Sequence, residues 1–376
     1  MDPESKPTAA AQPQNQVPHE TLKAQPWKSF MQEPEIHAFL SNDTKEVGII
    51  RLKTEKDEHG LGEGSITSFY FLVELPTSKM VTATLNFISS LHRYEKEKPY
   101  FLNTVDQSTR EPILRTNLEY SKHEGIQIEN IRDHCDNAFT LNKNGFKVMS
   151  HRTVSFIKGQ NIDVEAYCTE IVRLVAEECN AAHVLCYDYR IRKNNTELVN
   201  YEKDQDAGRS TAAPPVFPAH IDHTVEGGPK RILRHLTERE AVQYMNDQYR
   251  ARIIKMLFLY FSVWRPLNNP VKDCPLAICD PRSIDTMDLL SADRVTPDFA
   301  VELYYLKHNA NQKWYWLSNQ TLDEITLFVN YDSNCRLEGS DWKTCPHAAF
   351  MNPEAQADSP PRESIEARLI VFTRSE

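Results

Sequence analysis

The sequence predicts a mainly β fold with flanking helices, an α+β arrangement whose second half forms a barrel or jelly roll. Short segments rich in β-branched and aromatic residues follow one another there, separated by turn residues. Helical patterns occur at two places only, and both precede these segments. The strand candidates of the second half are residues 276–279, 301–306, 313–317, 325–329, 347–350 and 365–372.

The first half of the chain has a more mixed pattern. Residues 1–26 are rich in Pro, Gln, Ala and Lys and offer little to bury, so we expect a disordered tail. Residues 163–180 place apolar side chains at three- and four-residue spacing, which predicts an amphipathic helix. Further elements are strand candidates at 69–73, 81–87 and 182–192 and a polar loop at 193–216.

A second helix is predicted to begin at Thr237, because Thr237 and Glu240 have the spacing of a capping box. Its end is not defined by the sequence, since the pattern merges into the apolar run 253–264. We therefore expect one catalytic domain over residues 27–376. A mixed α/β layer would occupy about 27–200, and the β core would occupy about 201–376.

Composition restricts the class of protein. The hydrophobic fraction is 40%, and no apolar run approaches the roughly 20 residues that a membrane span requires. The net charge of -10 argues against a nucleic-acid partner, because phosphate binding needs clustered Lys and Arg. The eight cysteines form no C-x-x-C pair, and we expect no signal peptide, because the first residues lack the apolar run of one. We expect reduced thiols and a cytoplasmic location, and the oligomeric state is open.

The most informative motif is His220-Ile221-Asp222, followed far downstream by His347. A His and an Asp two apart on a strand point to one face, and a second His from another strand can complete a facial triad. Two imidazoles and one carboxylate with open positions are the ligand set of non-haem Fe(II) oxygenases. An isolated H-x-D is common by chance and a lone His is more often structural, so the prediction depends on the order of these motifs.

Arg362 and Ser364 add a feature that a bare metal site would lack. They share one face of the last strand candidate, and a guanidinium with a hydroxyl suits the distal carboxylate of a small dicarboxylate. We expect that ligand to be 2-oxoglutarate, which would chelate the iron through its oxo acid while dioxygen takes the remaining position. Arg368 has the same strand parity and is the alternative anchor.

Many short motifs, in order, resemble the fungal hydroxylase/desaturase family of secondary metabolism. This family includes the aspergillic-acid hydroxylase, gibberellin desaturase and the small component of the cephem methoxylase. The resemblance covers roughly residues 65–374 and implies dependence on iron and 2-oxoglutarate and a double-stranded β-helix core. The matching stretches are 139–146 (FTLNKNGF), 219–222 (AHID), 263–267 (VWRPL), 275–280 (PLAICD), 314–316 (WYW), 323–324 (DE), 331–333 (YDS), 346–350 (PHAAF) and 361–368 (PRESIEAR).

The predicted reaction is oxidation of an unactivated C–H bond of a small secondary-metabolite or amino-acid-derived substrate, with succinate and carbon dioxide as co-products. Hydroxylation, desaturation and oxidative ring closure all stay open. The alternatives are a different metalloenzyme on a cupin-like barrel and a partner subunit of a two-component oxygenase.

Substrate contacts are predicted from aromatic and buried basic residues. Arg265 would bind a carboxylate or form a structural pair with Asp273 or Asp280. The other tentative substrate residues are Trp264, Tyr305, Trp316 and Phe350.

Overall fold

The computed structural model describes the residues 36–39, 47–50, 70–71, 80–103, 114–135, 137–155, 163–194, 212–255, 264–296, 299–335 and 342–375. Residues 1–77 and 78–376 form two separate compact units. The described part of the first unit is an antiparallel sheet of β1 (Ile36–Phe39), β2 (Val47–Ile50) and β3 (Tyr70–Phe71).

Several sequence-based expectations lie outside the described residues. These are the disordered tail at 1–26, most of the strand candidate at 69–73, the centre of the loop at 193–216 and most of the apolar run at 253–264. The single domain expected over residues 27–376 stays a prediction.

The second unit contains fifteen described strands and four described helices. The strands are β4 (Val81–Ile88), β5 (Tyr100–Leu102), β6 (Tyr120–Asn130), β7 (Phe146–Ser150), β8 (His183–Lys193), β9 (His220–Ile221), β10 (Tyr249–Lys255), β11 (Arg265–Pro266), β12 (Leu276–Cys279), β13 (Leu289–Val295), β14 (Ala300–Leu306), β15 (Trp314–Trp316), β16 (Glu324–Asp332), β17 (His347–Ala349) and β18 (Glu363–Arg374). The helices are α1 (Leu141–Asn144), α2 (Val164–Glu178), α3 (Gly227–His235) and α4 (Glu238–Tyr244).

Two mainly antiparallel sheets organise this unit. One has nine strands in the order β4-β6-β15-β12-β17-β9-β14-β13-β5. The other has the order β11-β18-β10-β16-β7, with β8 also pairing to β18. The short strand β9 lies between β17 and β14, and the long strand β18 pairs with β8, β10 and β11. The mainly β fold with few helices is confirmed, and it is consistent with a double-stranded β-helix.

The helix predicted over residues 163–180 is confirmed as α2, and it packs on β8 and β18 of the six-stranded sheet. The Asp163 side chain caps the helix by accepting the Ala166 N–H at 3.0 Å. Tyr167, Ile171 and Val175 lie one helical turn apart and are completely buried in one cluster with apolar residues of β18. The helix therefore supports β18 on one face of that strand and leaves its other face for polar side chains.

Two short helices follow β9. The capping box of Thr237 and Glu240 is confirmed, and α4 ends before β10 begins at Tyr249. The sequence did not predict α3. Gly228 explains its close docking, because a Cβ at this position would lie 2.1 Å from the Tyr331 ring on β16.

Candidate active site

His220 and His347 are brought together by strand pairing. They are direct partners in the antiparallel pair of β9 and β17, and their ring centroids lie 4.2 Å apart. Both side chains are buried. The nine-stranded sheet thus brings side by side two imidazoles that are remote in sequence.

Each imidazole is held in one tautomer by a backbone carbonyl. His220 Nδ1 lies 2.8 Å from the Pro218 oxygen, and His347 Nδ1 lies 3.1 Å from the Cys345 oxygen. Because a carbonyl only accepts, each Nδ1 must carry a proton, and in the neutral imidazole Nε2 then keeps its lone pair. In metal-binding histidines, the hydrogen bond of the ring nitrogen that does not bind the metal fixes the ring orientation in this way.

Asp222 follows β9 by one residue and completes the cluster. Its Oδ1 lies 3.3 Å from His220 Nε2, and the carboxylate is buried. One ligand atom from each of Asp222, His220 and His347 can be chosen so that all lie within 4.8 Å of one another. The strand predicted for the H-x-D motif is shorter than expected, since it ends at Ile221.

Asn330 hydrogen-bonds to Asp222 just beyond the end of β9. Its Oδ1 accepts the backbone N–H of Asp222 at 3.2 Å, and the residue is completely buried on β16. Phe328 on the same strand packs its ring 4.8 Å from the His347 ring. Sequence reasoning missed both residues, because a single Asn in an apolar strand carries no motif.

Arg362 directly precedes β18 and Ser364 is its second residue, and both are buried. Arg362 Nη1 donates to the Cys274 oxygen at 2.7 Å, and its backbone N–H donates to Asp273 Oδ2 at 3.1 Å. Burial lowers the pKa of Arg362, while Cys274 and nearby carboxylates raise it. The Ser364 hydroxyl has no hydrogen-bond partner among the described residues.

The same face of β18 continues with two charged pairs. Glu366 accepts from Arg192 Nε on β8 at 2.5 Å, and both side chains are buried. Arg368 forms an ion pair with Asp188, its direct cross-strand partner on β8. The alternative anchor Arg368 is therefore already paired with a carboxylate of the protein, that of Asp188.

The tentative substrate residues are distributed over both faces of the sheets. Tyr305 pairs with His220 on the neighbouring strand, with ring centroids 6.4 Å apart. Pro266 pairs with Ser364, so Trp264, two residues earlier, lies on the Ser364 side of the sheet. These two residues share a sheet side with the candidate site.

Arg265 lies on the opposite side, where it pairs with Ile365 and its guanidinium is 6.0 Å from the Tyr167 ring of α2. It contacts the Leu322 oxygen and His151 Nδ1. Of the two alternatives for Arg265, the structural pair with Asp273 or Asp280 is corrected, because β11 points this side chain toward the helix.

Trp316 and Phe350 pack against each other at 5.6 Å in an apolar cluster with β4 residues. That cluster includes Ala348, which lies on the sheet face opposite to its neighbour His347. The structure does not bring these two aromatic residues to the histidines.

Comparisons with known proteins agree with this geometry. A family model described as an oxidoreductase/YMDC permease-like domain matches residues 85–372. The chain is 31% identical to the Fe(II)/2-oxoglutarate-dependent dioxygenase nvfI of Aspergillus novofumigatus, over 69% of this chain and 86% of the relative. It is 30% identical to the hydroxylase/desaturase efuI of Hormonema carpetanum, over 73% of this chain and 92% of the relative.

A solved structure of a variant of the iron and alpha-ketoglutarate-dependent endoperoxidase NvfI matches with a TM-score of 0.63 at 26% identity. The match covers 79% of this chain and 99% of that chain. The chain belongs to the fungal Fe(II)/2-oxoglutarate-dependent dioxygenase and hydroxylase/desaturase family. As a member, it is an oxidoreductase of secondary metabolism that uses Fe(II), 2-oxoglutarate and dioxygen.

Within the described part of the chain, no helix combines the length and the apolar character needed to cross a membrane.

Proposed function

We propose that His220, Asp222 and His347 hold the Fe(II) ion as a facial triad. The observation that carries this proposal is the set of three buried ligand atoms within 4.8 Å of one another. The donor types fit the metal, because two neutral imidazoles and one carboxylate are typical of non-haem Fe(II) oxygenases. The carbonyl contacts of both Nδ1 atoms also fit, since they direct each Nε2 lone pair toward the shared space.

The same proposal assigns the distal carboxylate of 2-oxoglutarate to Arg362 and Ser364. Both side chains are buried, and a carboxylate would accept charge-assisted hydrogen bonds from the Arg362 guanidinium and a hydrogen bond from the Ser364 hydroxyl. The ion pair of Arg368 with Asp188 supports Arg362 over the alternative anchor.

When bound, iron(II) with 2-oxoglutarate and dioxygen supplies the oxidising power, with succinate and carbon dioxide as co-products. The protein itself orients the proposed ligands. The two carbonyls orient the imidazoles, Asn330 holds the Asp222 backbone, and the buried surroundings keep bulk water from the centre.

The substrate class is a small organic molecule of secondary metabolism, and the activities of the related dioxygenase and hydroxylase/desaturase support it. Tyr305 and Trp264 are the candidate pocket residues, because both lie on sheet faces that carry proposed site residues. Hydroxylation, desaturation and ring closure stay open. The cytoplasmic location and the lack of a nucleic-acid partner stay predictions.

Metal stoichiometry together with 2-oxoglutarate turnover tests the proposal. We expect one Fe(II) per chain in the wild type, and 2-oxoglutarate consumption that requires this metal. His347→Ala should lose both, while Trp316→Phe, a change in the cluster remote from the histidines, should keep both. Metal bound equally well by His347→Ala would contradict the triad. Metal bound without any use of 2-oxoglutarate would favour a different metalloenzyme.

A further inference from the structure

Asn330 stands at a bulge in strand β16. Tyr331 and Val329 pair with the consecutive residues Ile253 and Ile254 of β10, so Asn330 is an extra residue with no partner in that ladder. Such bulges redirect a side chain, and they are frequent beside active sites. Here the redirected side chain reaches the backbone of Asp222.

The bulge is held firmly against the candidate metal ligands. The Cys345 N–H donates to the Val329 oxygen at 2.8 Å, and the Cys345 oxygen in turn accepts from His347 Nδ1. Asn330 Oδ1 accepts a hydrogen bond from the Asp222 N–H at 3.2 Å. One strand segment therefore connects to both the carboxylate ligand and the second imidazole ligand.

Chemistry fixes the orientation of the Asn330 carboxamide. The Asp222 N–H is a donor, so the carboxamide atom facing it must be the oxygen, and Nδ2 points elsewhere. This NH₂ group is completely buried, yet it has no acceptor among the described residues, which include the carboxylate of Asp222. A buried amide donor is normally hydrogen-bonded.

We propose that the Asn330 NH₂ donates to the metal-chelating carboxylate of bound 2-oxoglutarate. The inference rests on the proposed function, which places the oxo-acid end of the co-substrate at the metal beside Asp222 and its distal end at Arg362. Asn330 is then a bifunctional residue. Its oxygen positions Asp222, and its nitrogen binds the co-substrate that this metal centre recruits.

Asn330→Asp separates the two roles. The substituted side chain still accepts the Asp222 N–H, but it replaces the donor by a negative charge that faces a carboxylate. We expect the dissociation constant for 2-oxoglutarate, measured anaerobically from the charge-transfer band of the Fe(II)-loaded protein, to rise by roughly tenfold or more. Fe(II) affinity measured without 2-oxoglutarate should not decrease, since added negative charge favours a cation.

Asn130→Asp is the matched control, because Asn130 is also a buried strand residue. Both its amide atoms are satisfied within the protein, by the side chain and the backbone of Ser318. It should bind 2-oxoglutarate like the wild type. Asn330→Ala is the second variant and loses both contacts, so it should weaken 2-oxoglutarate binding as well.

Wild-type affinity for 2-oxoglutarate in metal-loaded Asn330→Asp would overturn the inference. A defect in Asn330→Ala that is confined to metal binding would also overturn it, because Asn330 would then act on Asp222 alone. Absence of a 2-oxoglutarate-dependent band in the wild type is a different result, since it would contradict the proposed function itself.

Discussion

His220 and His347 are direct cross-strand partners, and each donates its Nδ1 proton to the carbonyl of the residue two positions before it. The repeated contact gives both rings the same tautomer without any side-chain acceptor. The two Nε2 lone pairs that the proposed Fe(II) site requires therefore depend on local strand geometry. The proposed third ligand is Asp222, which directly follows β9 and whose backbone N–H donates to Asn330 Oδ1.

The two candidate anchors for 2-oxoglutarate can be separated by substitution. Arg362→Ala should raise the dissociation constant for 2-oxoglutarate by roughly tenfold to a hundredfold, because it removes a charge-assisted contact to a carboxylate. Arg368→Ala should mainly lower stability, because it leaves Asp188 without its ion-pair partner. Titration of the two metal-loaded variants with 2-oxoglutarate, beside chemical denaturation, makes the comparison. A larger affinity loss in Arg368→Ala would move the anchor to that residue.

The ion pair of Arg192 and Glu366 is a second target, because both side chains are buried. Burial is the main cause that lowers the pKa of Arg192, to about 10. Glu366→Gln should destabilise the fold by about 3–5 kcal/mol, since it leaves a buried guanidinium without its counter-charge. The double variant Arg192→Met with Glu366→Leu should recover much of this loss. Urea unfolding of Glu366→Gln and of the double variant measures these changes. An equal loss of unfolding free energy in the two proteins would contradict this prediction.

Gly228 on α3 offers a test of packing. A methyl group there would collide with the Tyr331 ring, so Gly228→Ala should cost about 1–3 kcal/mol of unfolding free energy. Gly228→Ala combined with Tyr331→Leu should be less destabilised than the sum of the two single variants, because the smaller side chain makes room. Strict additivity of the two losses would show that α3 does not dock on this ring.

Buried thiols should make stability fall at alkaline pH. Burial raises the pKa of Cys274 and of Cys279 to about 12, from an ordinary value near 9. The folded state therefore keeps these protons longer than the unfolded state does. The stability contribution is fully present below pH 9 and is lost as pH rises toward 12, at up to about 1.4 kcal/mol per pH unit and thiol.

Urea unfolding of wild type and Cys279→Ala above pH 9 measures this contribution. The variant should lose stability less steeply with pH than the wild type. Cys135→Ala is the control, because Cys135 is exposed, and its slope should equal that of the wild type. Parallel slopes for wild type and Cys279→Ala would contradict the assignment.

Much of the fold could be predicted because its signals are local. The capping box at Thr237 and the apolar stripe of α2 are short-range patterns, and both are confirmed. The helix α3 was missed, since its docking depends on a glycine that fits one distant ring. The alternative that pairs Arg265 with Asp273 or Asp280 is wrong, because an apolar sequence context indicates burial but not the side of the sheet that the residue faces.

In the candidate site, too, sequence patterns reveal some residues, while others depend on long-range contacts. His220, Asp222 and His347 form a recognisable order of ligand types, and the structure brings them together. Asn330 and Phe328 could not be found in this way, because their contacts arise from a bulge and a sheet pairing that join remote segments. Trp316 and Phe350 look like pocket residues by composition, but they lie in the cluster with β4.

Anaerobic visible spectroscopy of the purified protein tests the central claim most directly, with Fe(II) added first and 2-oxoglutarate second. We expect a charge-transfer band in the wild type that requires both additions. It should be absent in His220→Ala and should require more 2-oxoglutarate in Arg362→Ala. Metal bound to the wild type with no such band, or an unchanged band in His220→Ala, would contradict a 2-oxoglutarate site built on His220, Asp222 and His347.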